Sequence, residues 1–112
     1  MKNVLEYKGY FTRVEYSAED RVLHGRIEGI QDLVNFECEQ TDQVEEQFHE
    51  AVDDYLAYCE DLGKQPEKPY RGVFNIRISP ELHRRAVVEA AKEGITLNQF
   101  VATAVEAQLA SV

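Results

Sequence analysis

From Tyr10 to Leu62 the hydrophobic period changes once, from two residues to between three and four. Tyr10, Thr12, Val14 and Tyr16 alternate with Phe11, Arg13 and Glu15, which predicts a strand. Ser17-Ala-Glu-Asp20 reads as a polar turn, and a second short strand is expected at about Arg21–Ile27. Val34, Phe36 and Cys38 alternate with Asn35, Glu37 and Glu39 in a third. Alternation of this kind suits an antiparallel meander with one solvated face. The cover for its other face follows. Val44, Phe48, Ala51, Val52, Tyr55, Leu56, Cys59 and Leu62 fall at helical steps and form one apolar stripe. Thr41 or Asp42 is the expected N-cap, and Glu45 and Glu46 complement the positive helix start. Glu46, Glu50, Asp53, Asp54 and Glu60 lie mostly off the stripe. A sheet–helix sandwich of this size stands near the lower limit for independent folding.

Gly63-Lys-Gln-Pro-Glu-Lys-Pro-Tyr-Arg-Gly72 then breaks the pattern. Gly63 suits a left-handed helix stop, and Pro66 and Pro69 prevent continuation. Beyond it, Val73-Phe-Asn-Ile-Arg-Ile78 alternates strictly, with Phe74, Ile76 and Ile78 on one side and Val73, Asn75 and Arg77 on the other. A lone strand needs a mate, and nothing later in the chain is strand-like. The same strand from a second copy is the economical one. Ser79-Pro80-Glu81 supplies a cap, a first-position proline and a first-turn acid for a helix to about Glu93, with Leu82, Ala86 and Ala90 on one face and Gly94 as its stop. Thr96-Leu97-Asn98-Gln99 matches the capping box of a second helix, with Ile95 and Phe100 at the staple positions. Leu97, Val101, Ala104, Val105 and Leu109 give that helix an apolar face too broad for an isolated hairpin, which again calls for a dimer.

Charge sharpens the division. The net charge of −9 opposes nucleic-acid binding for the chain as a whole. Residues 1–65, however, carry 16 acidic against 6 basic side chains, a balance of −10, while residues 66–112 carry 5 against 6, a balance of +1. The second part is able to meet DNA while the first attracts a basic protein or simply stays solvated. Cys38 and Cys59 stand in no metal-ligand spacing and read as small buried hydrophobes rather than as a disulfide or a reactive thiol. No apolar run approaches the roughly 20 residues of a membrane span, and the N-terminus lacks the core of a secretory signal. A cytoplasmic protein without membrane contact, metal or cofactor is expected.

The stretch Phe74–Leu109 resembles the ribbon-helix-helix family of the Arc and MetJ repressors, through its Phe-Asn-x-Arg ribbon and the turn Gly94-Ile95-Thr96-Leu97-Asn98. The resemblance implies a homodimer whose paired strands enter the major groove of operator DNA. Val73, Asn75 and Arg77 would then face the bases, and Thr96, Leu97 and Asn98 would offer helix-start amides to a phosphate. Phe74, Ile76, Ile78, Phe100 and Val101 would form the dimer core. Val73 departs from the polar residue common at its position and offers only apolar contact. More broadly, Tyr7-Lys-Gly-Tyr10, Gly25-Arg-Ile-Glu-Gly29 and Ala51-Val-Asp-Asp-Tyr-Leu56 ahead of such a tail resemble the HicB antitoxin family. That resemblance implies a partial, inactive ribonuclease-H-like domain that blocks a small basic RNA-cleaving toxin, HicA, with the tail repressing the shared operon.

The expected organisation is α+β: a toxin-binding domain over 1–64, a linker over 65–72 and a DNA-binding domain over 73–112. Pairing through both modules would produce a tetramer. A solitary ribbon-helix-helix regulator with no toxin is the alternative. An enzyme is not expected: Glu28, Asp32, Glu37 and Glu39 are candidates for Mg²⁺ chemistry by type only, and His24 and His49 have no nucleophile beside them.

Overall fold

A computed structural model describes residues 3–68 and 70–111; the breaker role assigned to Pro69 lies outside the described residues. The chain divides into two compact units, Met1–Val73 and Phe74–Val112.

The first unit begins with a hairpin that the alternation does not reveal. β1 (Val4–Tyr7) pairs antiparallel with β2 (Tyr10–Arg13), with Tyr7 opposite Tyr10. Two residues, Lys8 (φ 51°) and Gly9 (φ 82°), close it. Positive φ at both central positions is the twist-matched form of a two-residue hairpin turn. The strand expected from Tyr10 to Tyr16 is interrupted at Val14, where β2 gives way to β3 (Glu15–Ser17). The Val14 amide still donates to the Asn3 carbonyl at 2.7 Å, in register with β1, so that group is paired before the chain takes a new partner from Glu15 on. As a result Tyr10 and Thr12 are buried, but Tyr16 is exposed, against the single-face reading.

β3 pairs with β4 (Val22–Arg26), which pairs with β5 (Asn35–Cys38). The polar turn falls where expected, with the Ser17 hydroxyl accepting from the Asp20 amide. Leu23, Gly25 and Ile27 alternate inward, and Val22, His24 and Arg26 line the outer face with Glu15 and Glu37. One face is therefore solvated, as the meander pattern predicts.

α1 (Val44–Asp61) covers the other face. Phe48, Ala51, Val52, Tyr55 and Cys59 are buried against Tyr10, Ile27 and Phe36. Neither Thr41 nor Asp42 caps it. Thr41–Gln43 form a turn of 3₁₀ helix that feeds directly into α1, and Gln43 stands at its start without a side-chain cap. Leu62, expected on the stripe, lies past the last turn and is exposed. Gly63 takes φ 66°; its amide reaches the Glu60 carbonyl and the Lys64 amide the Cys59 carbonyl, the paired bonds of a Schellman stop. Cys38 and Cys59 are free and buried. No helix among the described residues is long and apolar enough to cross a membrane.

The second unit is a helical hairpin of α2 (Pro80–Glu93) and α3 (Leu97–Ala110). Ser79 Oγ accepts from the Leu82 amide at 3.1 Å, with Pro80 as the first helical residue. Gly94 (φ 71°) ends α2 with the same paired bonds, from Gly94 to Ala91 and from Ile95 to Ala90. The capping box of α3 is complete: the Gln99 amide donates to Thr96 Oγ1 at 3.0 Å, and the Thr96 amide to Gln99 Oε1 at 2.9 Å.

Candidate functional site

Residues 73–78, the expected ribbon, adopt no helix or strand in the single chain. An isolated segment has no ladder partner, so its alternation cannot register as a sheet. Its side chains lie in the open. Val73 is 88% exposed, Phe74 72%, Ile76 55% and Ile78 40%. Asn75 and Arg77 are exposed as well. The strand expectation is thus not met within one copy, while the exposed apolar set it requires for pairing is present.

The hairpin that follows is equally short of cover. Ala90 is its only buried hydrophobic residue among those described. Leu82, Val87, Val88, Val105 and Leu109 are exposed, and Phe100 and Val101 are half-buried. Large exposed apolar patches are rare on monomeric proteins and mark interfaces. Of the residues expected to form a dimer core, none is fully buried in the single chain.

At the start of α3, Thr96 and Asn98 are exposed and Leu97 is half-buried. The capping box consumes the Gln99 amide, and Phe100 donates to the Thr96 carbonyl. The Leu97 and Asn98 amides remain for an external acceptor, as the first amides of a helix do. Sequence reasoning missed a groove of about 470 Å³ in which Arg84, Arg85, Lys92 and Glu89 accompany Leu82, Ala86, Val88 and Phe100. Their spacing at 84, 85 and 92, partly shared with the apolar face of α2, was the available signal. Arg84 is held to Glu81, one turn earlier, at 2.9 Å.

In the first unit, the acidic residues expected to stay off the stripe, Glu46, Glu50, Asp53, Asp54 and Glu60, are all exposed. Asp53 accepts from Lys8 Nζ at 2.8 Å and from the Tyr7 hydroxyl at 3.1 Å, while the Tyr7 ring stacks on His49 at 4.0 Å. Those hydrogen bonds hold the Asp53 carboxyl below the usual carboxylate range and Lys8 above the usual lysine range. Of the carboxylates weighed for Mg²⁺ chemistry, Glu28 and Glu37 line one groove on the outer face of the β3–β4–β5 sheet, together with His24 and Arg26. Asp32 pairs with Lys64 at 2.6 Å, which raises the lysine pKa; Glu28 stands 3.5 Å from Arg26; and Glu37 faces His24 across the β4–β5 ladder. Among the described residues, no group of three or more His, Cys, Asp or Glu is placed to hold a metal ion.

The HicB family model matches residues 55–105, from the last turns of α1 through most of α3, so a little under half of the chain is similar to that family. The match leaves the motifs at Tyr7–Tyr10 and Gly25–Gly29 outside it. Comparison with curated proteins returns no match, and comparison with solved structures returns none.

Proposed function

We propose that this chain is the antitoxin of a HicA/HicB-type pair, which neutralises an RNA-cleaving toxin and represses its own operon through a dimeric ribbon-helix-helix tail. One observation carries the DNA-binding half: a segment of strict alternation, with its apolar side uncovered, stands directly before two well-capped helices. Two copies paired through residues 73–78 bury Phe74, Ile76 and Ile78 against the apolar faces of α2 and α3. Val73, Asn75 and Arg77 are then left on the outer face of a ribbon that fits a major groove. Arg77 suits guanine N7 and O6, and Asn75 suits adenine N6 and N7. The free amides of Leu97 and Asn98 suit a backbone phosphate, which fixes register without reading sequence.

The antitoxin half rests on the family match and on charge. A strongly acidic first unit favours encounter with a small basic toxin and disfavours stray contact with DNA. The chain acts in this reading by binding rather than catalysis.

The deciding experiment is co-expression with the adjacent reading frame, followed by gel shift on the shared promoter. A short basic chain that co-purifies and is silenced supports the antitoxin; promoter binding without such a partner leaves the solitary regulator. Arg77→Ala is expected to cost about 1–3 kcal/mol at one base pair and to relax specificity there. Unchanged affinity and selectivity in that variant would remove Arg77 from the interface.

A further inference from the structure

Glu67 sits in the stretch that its prolines mark as a linker, yet it is gripped from several sides within the first unit. Its amide donates to Tyr55 Oη at 3.0 Å, and its carbonyl accepts from the Tyr10 hydroxyl at 2.9 Å. Its carboxylate accepts from the Gln31 amide at 3.0 Å and from the Asp32 amide at 3.2 Å. Those two amides belong to the loop between β4 and β5, where no strand neighbour is available to accept from them. Both tyrosines are core residues, and burial pushes their phenols above the usual range, which keeps the hydroxyls protonated. The grip extends to either side: Lys64 pairs with Asp32 at 2.6 Å, and the Tyr70 ring stacks on Phe11 at 6.3 Å.

We infer that residues 64–68, together with Tyr70, form a strap, closed by Glu67 on the β4–β5 loop, which sets how much chain is free to join the two units. This length argument rests on the proposed ribbon: with residues 74–78 paired and the strap closed, only residues 71–73 remain as tether, a span of ~10 Å. With it open, residues 64–73 become available and the reach grows to ~35 Å. The strap is therefore a length switch between the acidic unit and the tail. It depends on Glu67, whose carboxylate supplies charge-assisted bonds that no neutral residue matches.

The test is hydrogen exchange on the full chain, combined with limited tryptic cleavage at the Lys64–Gln65 bond. In Glu67→Ala the Gln31 and Asp32 amides should exchange about tenfold faster or more, from loss of charged acceptors. Cleavage after Lys64 should accelerate with them, while the α1 amides from Phe48 to Tyr55 keep their protection. Glu67→Gln, which retains one acceptor oxygen, should fall between the two. Wild-type exchange at Gln31 and Asp32 in Glu67→Ala, or wild-type cleavage at Lys64 already as fast as in the variant, overturns the strap. Should Glu67→Ala lose protection across α1, the Glu67→Gln comparison decides: a smaller change of the same sign supports the strap, and no change overturns it.

Discussion

Gly25 on β4 packs against Thr12 of β2 and Phe36 of β5. A Cβ there would stand 2.6 Å from Thr12 Oγ1 and 2.8 Å from the Phe36 ring, both packed in the core. Glycine is required at this point by space rather than by dihedral angle. Gly25→Ala is expected to destabilise the first unit by about 1–3 kcal/mol, the usual cost of overpacking, read as a lower urea midpoint at unchanged slope. The Tyr7–Lys8–Asp53 cluster acts at the surface and is weaker. Because the Asp53 pKa is depressed on folding, its contribution exists above the unfolded carboxylate range and is lost as pH falls through the depressed value. The Lys8 pKa is raised, so its contribution exists below the ordinary lysine range and is lost as pH rises through the raised value. Asp53→Asn should therefore lower the melting temperature at neutral pH, and the gap to wild type should close towards strong acid. A gap that persists unchanged into acid would show that the cluster acts through packing instead.

The elements were legible in proportion to how local their causes are. α2 and α3 were readable almost to the residue because their caps use neighbours in sequence: Ser79 with Leu82, Thr96 with Gln99, Gly94 with its own helix. β1 was not readable, since Lys8-Gly9 lacks the Asn or Asp that usually announces a two-residue turn. The break at Val14 was equally hidden, because there the chain leaves β1, where Val14 still bonds Asn3, for β4, where Glu15 faces His24, and both partners are distant in sequence. The Glu67 grip was invisible for the same reason; a glutamate between prolines carries no local sign of the loop it caps. The exposure of Asn75, Arg77, Thr96 and Asn98 agrees with alternation and capping, whereas the groove along α2 that Arg84, Arg85, Lys92 and Glu89 share needed the hairpin to be folded. The capping box carries its own prediction. Thr96→Ala should destabilise the second unit by about 1 kcal/mol. Under the proposed function it should also weaken binding to all DNA sequences alike, because a frayed helix start mispositions a phosphate contact and no base contact. A loss confined to one operator sequence would instead place Thr96 among the base readers.

At the scale of the whole molecule the two units differ in self-sufficiency. The first has a shared core of Tyr10, Ile27, Phe36, Phe48, Val52 and Tyr55 beneath one helix. The second buries Ala90 and leaves Phe74, Ile76, Leu82, Val105 and Leu109 in the open. A hairpin of two 14-residue helices with that little cover should not hold its shape alone, so its stability is expected to depend on chain concentration. For a dimer that unfolds to two chains, each tenfold rise in concentration adds about 1.4 kcal/mol to the apparent stability per dimer. Thermal unfolding of the full chain should accordingly show one transition that moves up with concentration and one that does not, belonging to the second and first units. Ile76→Ser, which places a hydroxyl where the apolar side of the proposed ribbon would close, should lower the mobile transition and leave the fixed one in place. The same variant should run as a monomer in analytical ultracentrifugation at concentrations where the wild type is dimeric. Two concentration-independent transitions in the wild type would mean that the exposed faces of α2 and α3 are covered by something other than a second copy.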